Sequence, residues 1–321
     1  MSFQEIITAD TPATDNLTSA INFHASVGDV FDARGNRVPS ELGRGVYRSD
    51  TGELMSICGP NTVPIQHKDI VDPILMQLEQ SGYKLEERPN NTRGALYDLK
   101  GKKGAFISTD LTDNGAFMRV DIILGDFVNV THPNARFGLA YGEDTNLFKI
   151  SLLNSHNSKY AARANTSYER IECLNGMTSP GYSASAYGKH TANFNLKAMQ
   201  AQLGNAFEAM TMDQERFELW AKTKINVLQA EEGLKRTIAK LPNKPNGDAH
   251  FSEPLVNKIL ARFVGVEDQT VWGLFNAVTW WQTHSEFRSN ANSVTALIGR
   301  EQKVAQMVKS NPWAQFITEA A

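Results

Sequence analysis

The spacing of apolar residues changes once along the chain, near residue 190, and this change constrains the fold more than any other feature. Before it, apolar and polar residues alternate with the period of a β-strand, as in Met118, Val120, Ile122 and Leu124. After it, apolar residues recur every three or four positions, the spacing of one helix face, as in Leu196, Met199, Leu203, Phe207 and Met210. We therefore predict an α+β fold, with a mainly antiparallel sheet of hairpins and a meander in the N-terminal half, followed by a helical C-terminal half.

Turn-forming residues locate the individual strands. A turn at 49–52 separates apolar runs at 45–48 and 53–58, which predicts a hairpin. Three more strands are predicted at 95–100, 105–111 and 116–124, so that the lysine-rich stretch 100–104 forms a hairpin tip. Helical spacing predicts a helix over 68–82 and further helices beginning near 196, 211, 252, 270 and 293.

These patterns divide the chain into three segments. Residues 1–40 show no sustained periodicity, and residues 1–31 contain four acids and neither Lys nor Arg, so we expect an irregular acidic arm. Residues 41–190 are expected to form a β-rich sheet domain and residues 191–321 a helical region.

Composition and charge narrow the class of protein. The apolar share of 41% and the charged share of 21% are those of ordinary globular proteins, and no apolar run is long enough to span a membrane. The N-terminus lacks the pattern of a secretory signal, which predicts a cytoplasmic protein with no membrane partner. The two cysteines, Cys58 and Cys173, are then expected to be reduced thiols.

Several sequence blocks resemble a known family. They are RGVYRSDTGEL at 44–54, LNSHN at 153–157, YERIECLNGM at 168–177, KHT at 189–191, and TVWGLFNAVT at 270–279 with His284. Together, from Arg44 to Val308, they resemble the phage/plasmid-like family called domain of unknown function 932. The resemblance implies a setting in phages, prophages or plasmids, and it brings no catalytic residues.

Basic residues in the predicted sheet suggest nucleic-acid binding. From Lys149 to Lys197 there are six basic and two acidic residues, a balance of 6 − 2 = +4. Tyrosines interleaved with these residues offer surfaces on which bases can stack. The candidate contacts are Lys100, Lys102, Lys103, Arg119, Lys159, Arg163, Arg170 and Lys189, and the tyrosines are Tyr160, Tyr168, Tyr182 and Tyr187. The alternative is that basic hairpin tips serve solubility and that the tyrosines pack at sheet edges.

A different interpretation centres on Cys173. A cysteine nucleophile needs a nearby base and an orienting group, and His156 or His190 with Asn154 or Asn175 supplies those residue types. The competing interpretation is a buried cysteine on a strand, with the Asn and His side chains in turns. The histidines lack the close spacing of zinc ligands, and no phosphate-binding or dinucleotide-binding glycine motif occurs, so neither metal nor cofactor is expected.

Weighing these features, we expect a protein of a phage or mobile element that binds single-stranded DNA without hydrolysing anything and acts as a homo-oligomer in strand annealing. Trp280 and Trp281 are neighbours that point about 100° apart on a helix, so one of them is expected to contact another domain or subunit. The alternatives are a cysteine-dependent enzyme centred on Cys173, or a factor whose acidic arm binds host defence or restriction proteins.

Overall fold

The structure is a computed structural model in which the chain forms two compact units. It describes residues 13–89, 92–131, 143–156, 161–171, 175–178, 186–191, 194–195, 197–198, 201, 210–239, 253–284 and 293–320. Unit 1 comprises Met1–Asp126, Lys149–Thr166 and Ala184–Phe207. Unit 2 comprises Phe127–Phe148, Ser167–Ser183 and Glu208–Ala321.

Strands are concentrated in the first two thirds of the chain and helices in the last third. The strands are β1 (Ala25–Gly28), β2 (Arg44–Arg48), β3 (Leu54–Cys58), β4 (Lys84–Glu87), β5 (Gly104–Leu111), β6 (Phe117–Thr131), β7 (Glu143–Ser155), β8 (Ala162–Arg170), β9 (Asn175–Thr178) and β10 (Ala186–Gly188). The helices are α1 (Ala13–Ile21), α2 (His67–Gln80), α3 (Thr92–Leu99), α4 (Met210–Lys222), α5 (Val227–Ala239), α6 (Glu253–Gly265), α7 (Val271–His284), α8 (Ser293–Val308) and α9 (Asn311–Ala320).

The strands form two sheets. β1, β2 and β3 make a three-stranded antiparallel sheet in that order. The larger sheet has the order β10-β8-β7-β6-β5-β4, and β9 also pairs with β8. β4 runs parallel to β5, whereas β5 with β6, β8 with β9, and β8 with β10 are antiparallel pairs.

The core of unit 1 is built from one face of α2 and the first half of β6. Buried aliphatic side chains on α2 recur at helical spacing, and each contributes roughly 1.5–3 kcal/mol by leaving water. They are Ile70, Val71, Ile74, Leu75 and Leu78. On β6 both faces are covered, because Met118, Val120, Ile122 and Leu124 are buried and Arg119 and Ile123 between them are buried as well.

The core of unit 2 is aromatic. All residues of α7 from Val271 to Thr279 are buried, so this helix is surrounded by other elements of the unit. Rings from several elements meet edge-on or tilted around it, a geometry that aromatic pairs favour. The contacting rings are Phe148, Tyr168, Phe217, Trp220, Trp272, Phe275, Trp313 and Phe316.

The α+β prediction is confirmed, and so are the hairpin of β2 and β3, the helix α2 and the strands β5 and β6. The predicted strand at 95–100 is wrong, because these residues belong to helix α3 and its end. Leu96 and Leu99, three residues apart, are both buried, as one helix face requires, whereas the six residues 95–100 are too few for the sequence to distinguish the period of a helix from that of a strand. The structure also places α1 and β1 within the segment 1–40, where Leu17, Ile21 and Ala25 are buried.

Candidate functional site

Helix α3 carries a basic and aromatic stripe. Arg93, Tyr97 and Lys100 are separated by four and three residues, so they follow one side of the helix. The helical hydrogen bonding continues through Lys100, whose N–H donates to the Leu96 carbonyl at 3.1 Å. Arg93 is exposed, and Tyr97 has 45% of its surface exposed. We call Arg93, Tyr97, Lys100, Lys102 and Lys103 the α3 surface.

The loop that follows α3 is fixed by its backbone. Gly101 adopts a φ of 75°, and its N–H donates to the Gly125 carbonyl at 2.8 Å. Lys102 N–H donates to the Leu99 carbonyl at 3.0 Å. A Cβ at Gly125 would lie 2.2 Å from the Lys102 carbonyl oxygen, so only glycine permits this approach. The loop is therefore a rigid turn between α3 and β5, and not the hairpin tip that we predicted.

Lys103 is held at this surface by a tyrosine. Its ammonium donates to Tyr83 Oη at 3.0 Å and lies 4.3 Å from the centroid of the same ring. Tyr83 donates in turn to Asp126, which is 3.8 Å from the Lys103 ammonium. The hydrogen bond to Tyr83 is the main reason that the pKa of Lys103 is raised. Lys103 therefore stays charged, and its side chain remains 61% exposed.

Arg119 lies in a different environment. It is buried, and its Nε donates to both carboxylate oxygens of Asp121, at 3.1 and 3.0 Å. Burial opposes ionisation of Asp121, but the charges of Arg119 and Lys149 lower its pKa to about 2. This paired charge lies inside unit 1, so Arg119 is not exposed to a nucleic acid as the sequence had led us to expect.

The remaining predicted contacts of unit 1 lie at the β8–β10 edge. Arg163 on β8 pairs in register with Tyr187 on β10, and the exposed Lys189 follows β10 directly. Arg163 is half-buried, and its Nε has no hydrogen-bond partner within the described ranges. Lys159, Tyr160 and Tyr182 lie outside the residues that the structure describes.

Arg170 belongs to a buried ionic network in unit 2. Its Nε is 2.7 Å from the Asp144 carboxylate and its Nη1 is 3.4 Å from Glu267. Arg262 also binds Glu267, at 3.0 Å, and Trp272 Nε1 donates to Asp144 at 3.1 Å. Two cations thus meet two carboxylates in the interior, an arrangement that satisfies charge and orients the start of α7. Arg170 is not presented to solvent, so we leave it and Arg119 out of the α3 surface.

Three histidines of unit 1 form a cluster in which His67 and His156 are buried and His190 is half-buried. The ring centroid of His156 lies 4.4 Å from that of His67 and 6.0 Å from that of His190. His67 Nε2 is 2.8 Å from the Gly115 carbonyl oxygen, and its Nδ1 is 2.9 Å from Asn154 Nδ2. The Ile65 N–H donates to His190 Nδ1 at 3.1 Å. The sequence pointed to His156 and His190 but not to His67, which is separated from Asn154 by 87 residues.

Burial keeps this cluster uncharged at neutral pH. It lowers the pKa of His67 to about 4, of His190 to about 4 and of His156 to about 2. The other histidine charges lower the pKa of His156 further, because like charges repel in an interior that water does not screen. The three imidazoles are therefore neutral polar groups under physiological conditions.

The structure adds no geometric support for a cysteine-dependent enzyme centred on Cys173. Cys173 lies outside the described residues, so its role as a nucleophile stays a prediction. Cys58, by contrast, is a buried free thiol packed with Phe23, Val46 and Met55. In the part of the chain that the structure describes, no group of three or more His, Cys, Asp or Glu is placed to hold a metal ion. No helix in these ranges is long and apolar enough to cross a membrane.

The residues of these sites fall on both sides of residue 126, where a family match begins. The family model named "Domain of unknown function (DUF932)" matches residues 126–309, more than half of the chain. The chain belongs to the DUF932 family. No curated protein and no solved structure matched the sequence.

The DUF932 match divides the candidate residues. It contains His156, His190 and the network of Arg170, together with the sequence blocks from 153 to 284. His67 and the whole α3 surface precede it. The α3 surface therefore lies outside the segment that the DUF932 family model matches.

Proposed function

We propose that this protein binds single-stranded DNA through the α3 surface and hydrolyses nothing. The observation that carries the proposal is the exposed Tyr97 with Arg93 one turn before it and Lys100 one turn after it. An aromatic ring can stack on any base, and flanking cations contact the phosphates on both sides of that base.

The charge balance of this segment supports the proposal. Residues 92–104 contain Arg93, Lys100, Lys102 and Lys103 against the single acid Asp98, a net charge of 4 − 1 = +3. Lys102 is exposed and has no ion-pair partner in the described part of the chain. The rigid loop fixes the backbone from which the lysines extend, so binding requires little ordering of the protein.

Removing the ring or the lysines is expected to have different effects on DNA affinity. Tyr97→Ala should weaken binding of a labelled 30-nucleotide strand about tenfold, because stacking contributes roughly 1–3 kcal/mol per base. Tyr97→Phe keeps the ring and should bind like the wild type. Lys102→Ala combined with Lys103→Ala should reduce the slope of log K against log salt by about 1.4, from about 0.7 per phosphate contact.

Fluorescence anisotropy over a salt series measures both effects. The matched control is Lys222→Ala, a lysine on α4 with 73% of its side chain exposed, which should leave the affinity unchanged. Circular dichroism of each variant verifies folding. The proposal fails if the wild type does not retain single-stranded DNA at low salt, or if Tyr97→Ala and the double lysine variant bind as well as Lys222→Ala.

We further propose that the protein acts as a homo-oligomer in the cytoplasm and promotes strand annealing. Exposed apolar side chains in unit 1, namely Phe31, Leu42 and Ile57, support self-association because such groups gain stability when a partner covers them. The buried free thiol of Cys58 is compatible with a reducing compartment. Sedimentation velocity tests the assembly, and a strictly monomeric protein at micromolar concentration would contradict it.

A further inference from the structure

Four polar atoms in the histidine cluster have no hydrogen-bond partner among the described residues. They are His156 Nδ1, His156 Nε2, His190 Nε2 and Asn154 Oδ1. His156 is only 2% exposed, so solvent at the surface does not satisfy its ring. An unsatisfied buried donor or acceptor costs about 1–3 kcal/mol, and four of them in one cluster are not expected to persist without a partner.

The hydrogen bonds of the neighbouring groups determine which of these atoms donate. His190 Nδ1 accepts the Ile65 N–H, so in the neutral ring the proton is on Nε2, which is therefore a donor. Asn154 Nδ2 donates to the Ile65 carbonyl at 2.7 Å and to His67 Nδ1, which leaves Asn154 Oδ1 as an acceptor. A neutral His156 offers one donor and one acceptor.

These donors and acceptors determine which class of ligand can bind in the histidine cluster. A metal ion needs several lone pairs, but both nitrogens of His67 are already bonded and Nε2 of His190 carries a proton, so His156 is the single imidazole with a free lone pair. An anion would be repelled by Asn154 Oδ1 and by the His156 lone pair. A small neutral molecule that both donates and accepts fits His190 Nε2, Asn154 Oδ1 and one nitrogen of His156, because the two nitrogens of one imidazole point in different directions and cannot bind the same small molecule.

We propose that His156, His190 and Asn154 enclose a binding site for a buried water molecule in unit 1. A buried water typically makes two to four hydrogen bonds, and His190 Nε2, Asn154 Oδ1 and one nitrogen of His156 supply three with both polarities. The water would join β7, which carries Asn154, to the segment after β10, which carries His190.

Two measurements on the full chain test the site. With 15N-labelled histidine, the His190 Nε2–H should show a rotating-frame Overhauser peak to water whose sign is that of a dipolar contact and opposite to that of exchange. Replacing His156 by leucine removes a partner of the water and should lower the thermal transition by about 3–8 °C. The control His284→Leu, at an exposed imidazole, should change it by less than about 2 °C.

Each opposite result overturns the proposal. A dry cluster gives no dipolar water peak at His190, and His156→Leu then raises the transition temperature because two unsatisfied polar atoms are removed. A metal site shows instead as a rise in the wild-type transition temperature with zinc chloride that EDTA reverses. If His156→Leu does not fold, the water peak in the wild type decides alone.

Discussion

Lowering the pH from 7 to 5 is expected to reduce the free energy of unfolding of unit 1 by about 6 kcal/mol. His67, His156 and His190 have folded pKa values of about 4, 2 and 4, below the value of 6.5 for a free histidine. Because the unfolded chain binds more protons than the folded chain between pH 6.5 and 4, stability is fully present above pH 6.5 and falls as the pH drops below it. Each histidine contributes about 2 kcal/mol at pH 5, and the sum is comparable to the whole stability of a domain.

The groups that face the cluster set its response to acid. Arg48 lies over the Phe23 ring, and Phe23 contacts both His67 and His156. The charges of Arg48 and His190 lower the pKa of His67, and those of His67, His190 and His24 lower that of His156. No carboxylate is among the groups that shift these three pKa values, so we expect no nearby anion to stabilise a protonated ring.

Hydrogen exchange with mass-spectrometric detection at pH 7, 6 and 5, corrected for the intrinsic pH dependence of exchange, measures the effect separately in each unit. Peptides around 65–70 and 150–156 should lose protection, whereas peptides of α7 in unit 2 should lose less. In His156→Leu, the acid-induced loss of unfolding free energy in unit 1 should be about 2 kcal/mol smaller than in the wild type. In the control His284→Gln, this loss should be nearly as large as in the wild type. Equal protection of the unit 1 peptides at pH 7 and pH 5 would contradict the assigned pKa values.

The second large effect is expected at Arg170. Arg170→Met leaves Asp144 and Glu267 buried with less compensating charge, and breaking a buried ion pair in this way costs about 3–5 kcal/mol. Arg262 still binds Glu267, so the loss is expected to arise mainly at Asp144. Urea unfolding followed by the fluorescence of Trp272 and its neighbours measures this change, because Trp272 donates to the same carboxylate.

Two comparisons distinguish the effect of losing the charge of Arg170 from the effect of changing the size of its side chain. Arg163→Met removes a half-buried arginine of the same strand that has no ion-pair partner in the described ranges, and it should cost less than about 1 kcal/mol. Combining Arg170→Met with Asp144→Asn should cost less than the sum of the two single variants, because the second change removes the unpaired charge. An Arg170→Met protein as stable as Arg163→Met would show that the network compensates no charge.

The class of fold could be predicted from the sequence because its signal is repeated over many residues. The alternation on β6 extends over nine positions at 116–124 and the helical spacing over fifteen at 196–210, so single exceptions did not matter. Helix α3 was missed because only Leu96 and Leu99 mark its buried face. That error also separated Tyr97 from Lys100, which a strand would place on opposite faces and a helix places on one.

The burial and pairing of the charged residues could not be predicted from the sequence in the same way. A sequence shows that Arg119 and Arg170 are cations, but not that each is buried against a carboxylate. Asp144 is 26 residues from Arg170 and Glu267 is 97 residues away, so no local pattern joins them. The histidine cluster could not be predicted for the same reason. The fold brings together side chains from α2, β7 and the segment after β10, and these residues share no sequence motif.

The rigid turn after α3 has a consequence for the kinetics of any ligand that binds there. Because Gly101 and Gly125 fix the backbone under Lys102 and Lys103, the main chain of this turn is not expected to rearrange when a ligand arrives. The encounter then needs no slow rearrangement of the protein, and its rate is governed by long-range attraction to the lysines. For the single-stranded DNA proposed to bind here, we therefore expect affinity to depend chiefly on the lifetime of the complex, which stacking on the ring of Tyr97 would prolong.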